Sequence, residues 1–236
     1  SQSVIEDDAI GFLLKHAKEH LSDSKKKESA KKKEQPKKAE AKAETSKKAD
    51  EAKAVKEETK AAKKVAVLAV NPVNGFGLFQ YLEAFFENGI SYKVYAVAET
   101  KEIKTNSGIE LVADDVIANL IGHEDDFDAL VFACGDAVPV FAQNADKPYN
   151  VDLMSVLKAF AGKGKILIGH CAAGLLFDFA GITEGKRLAV HPLAKPAVSK
   201  GMATDERSVV DGNFYTAQSE NFVWTMMPQV IEALKK

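Results

Sequence analysis

The sequence predicts an α/β domain, a three-layer sandwich with a mainly parallel sheet between helices. Three observations carry that expectation. Residues 65–70, 129–133 and 165–168 are continuous short apolar runs, as strands covered on both faces should be. Stripes at helical spacing stand between them, so strands and helices alternate along the chain. Finally, Gly169-His170-Cys171-Ala172-Ala173-Gly174 links an apolar strand to a helix through small residues, with a nucleophile at the turn.

The chain has 236 residues and a formal net charge of −2, with 32 Lys and Arg against 34 Asp and Glu. It divides into three parts. Residues 1–22 carry Ile10, Leu13, Leu14, Ala17 and Leu21 at helical spacing behind an acidic first turn, which predicts one short amphipathic helix. Residues 23–62 are Lys, Ala and Glu with little else. From 24 to 64 there are 16 Lys against 8 acids, a net +8, and Val55 is the one apolar side chain larger than Ala. No core can be buried there, so a disordered linker is expected. Its basic residues alternate with acidic ones and no aromatic is present, which argues against a nucleic-acid surface. Residues 63–236 have ordinary globular composition and are expected to fold as one domain.

No apolar run of about 18 residues occurs, so no membrane span is expected. The acidic N-terminus does not read as a signal peptide. The two cysteines, Cys134 and Cys171, make no disulfide framework, and a cytoplasmic setting is the default.

Within the domain, residues 65–70 form the first strand. A loop over 71–77 leads to a helix marked by Leu78, Tyr81, Leu82, Phe85 and Phe86 and stopped at Asn88-Gly89. Residues 92–97 and 109–112 are the next strands, then 129–133, ending at Cys134-Gly135-Asp136. A helix over 151–160 precedes the strand that enters the turn at Cys171. Residues 187–190 are a short strand closed by His191-Pro192-Leu193-Ala194-Lys195. Asp211-Gly212-Asn213 joins residues 208–210 and 214–216 as a hairpin. Residues 222–234 form the last helix. Parallel sheets place their sites at the carboxyl ends of strands, so Cys134 and Cys171 should lie near one another.

The turn lifts Cys171 above the sheet end and demands small residues at 169 and 173, where Gly and Ala stand. Amides opening a helix favour a thiolate and an adjacent oxyanion. Cys134 reads as a buried cysteine, or as a redox partner of Cys171. His123 lies in a polar run and reads as a solvated loop residue. Cys134, Cys171, His170 and His191 are metal-ligand types, but without ligand spacing no metal site is expected.

From Lys64 to the C-terminus the chain resembles the DJ-1/PfpI superfamily, and its DJ-1 (ThiJ) branch most. The resemblance is carried by the turn around Cys171, by the His191-Pro192 motif twenty residues on, by strand-end Gly135, and by the Asp211-Gly212 hairpin running into a C-terminal helix. It implies a flavodoxin-like fold of the glutamine amidotransferase-like class. It implies that Cys171 is the nucleophile, that His191 is an acid or base beside it, and that the Gly135 and Ala172 amides form an oxyanion pocket. His170 and Cys134 are accessory candidates. It further implies a cysteine-dependent hydrolase or lyase acting on small carbonyl or amide compounds, without a cofactor, or else a redox sensor or stress-protective protein that uses Cys171 oxidation. A homodimer is implied, with the stripe Leu78, Phe79, Leu82 and Phe86 as its surface. Two departures stand out. The family's Glu on the first helix aligns with Gly77, and no acid occurs from 65 to 82. The protease branch places a His directly after the Cys, where this chain has Ala172.

Overall fold

The structure, a computed structural model, describes residues 63–236; the helix expected over 1–22 and the linker over 23–62 lie outside the described residues. Strand β1 (Lys64–Val70) is buried at every position but its first. Helix α1 (Gly75–Glu87) starts where the Asn74 side chain accepts a hydrogen bond from the Gly77 N–H at 2.8 Å, which satisfies one of the free donors of a helix start. It ends at Asn88, before Gly89 takes a left-handed φ of 65°.

Strand β2 (Ser91–Val97) follows, then β3 (Glu102–Lys104), β4 (Glu110–Val112) and β5 (Asp115–Val116). Next come β6 (Ala129–Ala133), helix α2 (Pro148–Gly162), β7 (Ile166–His170) and helix α3 (Ala173–Phe179). The chain closes with β8 (Arg187–Ala189), β9 (Met202–Thr204), β10 (Ser208–Asp211), β11 (Phe214–Ala217) and helix α4 (Val223–Lys235).

Seven strands form one sheet in the order β10-β11-β7-β6-β1-β2-β5. Every neighbouring pair is parallel except the β10–β11 hairpin. Helices flank this sheet: α1 and α4 pack together, α4 over β10 and β11, and α2 packs on β7. The α/β architecture expected from the alternating pattern is therefore present, and β1, β6 and β7 form its apolar centre.

Two expected strands lie outside the main sheet. Residues 110–112 pair antiparallel with β3 in a separate hairpin, and Val112 is 72% exposed. Strand β8 pairs with β9 in another two-stranded sheet. The reason is competition for an edge: β11 runs beside β7, with Phe214 opposite Leu167, and fills the place that β8 would need. Among the described residues, no helix is long and apolar enough to cross a membrane.

Candidate functional site

The site grows from the end of β7. Cys171 has φ of 57°, the one non-glycine residue with positive φ among the described residues. Such a conformation costs on the order of 1 kcal/mol or more for a side-chain-bearing residue and persists when its surroundings fix it. Two backbone hydrogen bonds do so. The Cys171 N–H donates to the Ala217 carbonyl at 3.0 Å, and the Cys171 carbonyl accepts from the His191 N–H at 3.0 Å. Small residues make the turn possible, as the spacing predicts. A Cβ on Gly169 would lie 2.4 Å from the Ala173 Cβ, and one on Gly174 would lie 2.8 Å from Val190 Cγ2.

Cys134 reaches the same place from the neighbouring strand. In the β6–β7 register Phe132 stands opposite Gly169, so Cys134 and Cys171, each two residues further on, leave the sheet side by side. The Cys134 carbonyl accepts from the Asn74 N–H at 2.9 Å, tying this strand end to the start of α1. Gly135 must be glycine here, because a Cβ would sit 2.3 Å from the Pro72 carbonyl oxygen.

The two thiols are electrostatically unequal. The neighbouring Cys134 thiol holds the Cys171 pKa below the usual thiol range although burial and the Glu220 charge push it up. The same interaction, followed by burial and the Cys171 charge, pushes the Cys134 thiol well up. The Ala172 and Gly135 amides both favour negative charge on the Cys134 sulfur. The Ala172 amide favours negative charge on the Cys171 sulfur as well.

Beneath the cysteines lies His170, 1% exposed. Its Nδ1 is 3.2 Å from the Tyr81 hydroxyl, and its Nε2 is buried without a partner. Burial lowers its pKa to about 3, so the ring is neutral. Burial, and then the Cys134 charge, push the Tyr81 phenol well above its usual range. The imidazole also explains the absent acid. A Cβ on Gly77 would come within 2.4 Å of His170 Nε2, so the ring fills the space a side chain at 77 would need.

His191 enters the site through its backbone bond to Cys171. Its ring Nδ1 accepts from the Leu193 N–H at 3.3 Å, which leaves the proton of the neutral ring on Nε2. His123 pairs with Asp126 at 3.2 Å on the surface, away from the cysteines. Among the described residues, no group of three or more His, Cys, Asp or Glu is placed to hold a metal ion.

Two acids escaped the sequence reading. Glu220 and Asp136 both raise the Cys171 pKa by their charge. Glu220 follows β11, which runs parallel to β7 and ends at the same edge, so the strand-end rule that found Cys134 could have found it.

Comparison with known proteins bears on this arrangement. Residues 63–233 match the DJ-1/PfpI family. Protein ppBat of Bacteroides thetaiotaomicron is 75% identical over 174 residues, which is 74% of this chain and 99% of the relative. A crystal structure from the same organism, described as a "putative protease I", has a TM-score of 0.73 at 75% identity and covers 73% of this chain and 99% of that one. A DJ-1 superfamily protein from Salmonella typhimurium shares the fold at 22% identity, with a TM-score of 0.64 over 73% of this chain and 90% of its own.

Proposed function

The chain belongs to the DJ-1/PfpI family, and from that premise we propose that it is a cysteine-dependent protein whose Cys171 thiolate adds to small carbonyl or amide compounds, as a glyoxalase-like or amidase-like enzyme. The observation that supports this best is Cys171 itself, held at a strand-to-helix turn with its pKa lowered by the Cys134 thiol. In the addition, the Cys171 sulfur bonds to the carbonyl carbon and the π pair moves to oxygen. The Gly135 and Ala172 amides are the donors for that oxyanion, and the His191 Nε2–H is the candidate proton source. The oxygen would share those amides with the two cysteine sulfurs, so slow turnover is expected.

A second reading, a redox sensor or stress-protective protein without turnover, is favoured by the Cys134 sulfur. Peptide hydrolysis is less well supported, because Ala172 stands where the protease branch carries a His. The test is methylglyoxal consumption by the full chain, Cys171→Ser and His191→Gln. Slow turnover that vanishes in Cys171→Ser supports the enzyme reading; equal rates in wild type and Cys171→Ser overturn it.

A further inference from the structure

We propose that Cys134 is the resolving cysteine of Cys171, and that oxidation of this protein ends in a reversible Cys134–Cys171 disulfide. The inference rests on the reading of Cys171 as the reactive thiolate and goes beyond it, by giving the oxidised state a structure. The geometry comes first. Cys134 and Cys171 continue two paired parallel strands by the same number of residues beyond the Phe132–Gly169 pair. Neighbouring strands lie about 4.8 Å apart. That is inside the roughly 4.4–6.8 Å Cα separation that a disulfide spans.

Access orders the chemistry. Cys171 is half-buried, whereas Cys134 is 2% exposed, so an oxidant meets Cys171 first. A hydroperoxide takes the electron pair of the Cys171 thiolate. The S–O bond forms, the O–O bond breaks, and the alkoxide or hydroxide leaves with a proton as an alcohol or water. Cys171 is then a sulfenic acid. The Cys134 sulfur attacks the Cys171 sulfur, the S–S bond forms, and hydroxide leaves with the Cys134 proton as water. A dithiol reductant cleaves the S–S bond by thiol–disulfide exchange, returning two thiols and forming its own disulfide.

Cys134 is switched on by the first step. While Cys171 is a thiolate, the hydrogen bond to it and its charge keep the proton on Cys134. A neutral sulfenic acid removes the charge and weakens the acceptor. The Ala172 and Gly135 amides, which already favour charge on Cys134, then have no opponent except burial and that weaker acceptor. Without Cys134, the sulfenic acid would await further oxidant and pass to the sulfinic acid, which a dithiol does not reduce.

The experiment treats the full chain with a few-fold molar excess of hydrogen peroxide, then blocks free thiols with N-ethylmaleimide under denaturing conditions and reads each cysteine by mass spectrometry. In wild type, both free thiols should disappear together in a monomeric, disulfide-linked chain, and dithiothreitol should restore both. In Cys134→Ala, and in Cys134→Ser as a second variant that guards against misfolding, Cys171 should accumulate as sulfinic acid that dithiothreitol leaves unchanged. Wild-type Cys171 passing to sulfinic acid as fast as in the variants overturns the proposal, and so does a disulfide only between chains. Cys171 that resists both peroxide and iodoacetamide overturns the nucleophile reading as well. Cys171 that alkylates readily yet oxidises without engaging Cys134 overturns this inference alone.

Discussion

His170 is a neutral imidazole held between β7 and α1, and its burial has a pH consequence. Its folded pKa of about 3 lies below the ordinary 6.5, so the unfolded chain binds a proton that the folded chain refuses. The stability this residue contributes is complete above pH 6.5 and is lost as pH falls toward 3. The slope approaches about 1.4 kcal/mol per pH unit in that window. Urea midpoints at pH 6.5 and 4.5 should therefore fall further for wild type than for His170→Gln; equal shifts would refute the assignment. The ring also decides position 77. Gly77→Glu alone should destabilise the fold by about 1–3 kcal/mol, because the new Cβ meets the imidazole. Adding His170→Ala should recover part of that loss in thermal melts. Glu220→Gln should raise Cys171 alkylation near neutral pH, since removing its charge lets the thiol pKa fall further. At this scale the sequence was partly legible. Cys171 and its small neighbours announce themselves by spacing, and Gly77 showed that an acid was missing. That an imidazole fills the gap was not legible, because nothing in the order of residues says where the His170 side chain points.

At the scale of elements, the segment after α3 is fixed by one carboxylate. Asp178, 1% exposed, accepts from the Thr183 hydroxyl at 2.6 Å and from the amides of Ser199, Lys200 and Gly201 at 2.8, 3.0 and 2.7 Å. Burial alone would raise its pKa, but these donors outweigh it and hold the carboxylate ionised. Asp178→Ala strands five donors, the Ser199 hydroxyl at 3.2 Å included, and should cost about 3 kcal/mol or more by chemical denaturation. A loss below about 1 kcal/mol would mean that water replaces the carboxylate. Strands β1, β6 and β7 were readable because burial on both faces leaves unbroken apolar runs. Strands β3, β5 and β9 were not, being three, two and three residues long. The sheet to which β8 belongs was hidden too, because β11 wins the edge of β7 through contacts distant in sequence.

For the whole molecule, the homodimer expectation now has a sharper surface. Leu78 belongs to the core, while Phe76, Phe79 and Phe86 on α1 are 59%, 39% and 76% exposed, and Trp224 on α4 is 66% exposed. If a second copy covers these rings, light scattering at micromolar concentration should give twice the chain mass, and Phe86→Glu should halve it. A wild-type monomer mass would reject the expectation. The order of strands was not legible, because it required the pairing itself. That order has a consequence for synthesis on the ribosome. β2 arrives beside β1, β6 takes the other flank of β1, β7 lands on β6, and the β10–β11 hairpin lands on β7. Each strand of the main sheet after β1, except β10, therefore meets an edge that has already emerged, and β10 joins only once β11 has followed it. Ala217, which pins the Cys171 amide, and Glu220, which restrains its charge, both leave the tunnel after the cysteine turn. Until they follow, the newborn chain carries the cysteine turn without these two restraints, and that interval is when the thiol should be most open to stray electrophiles.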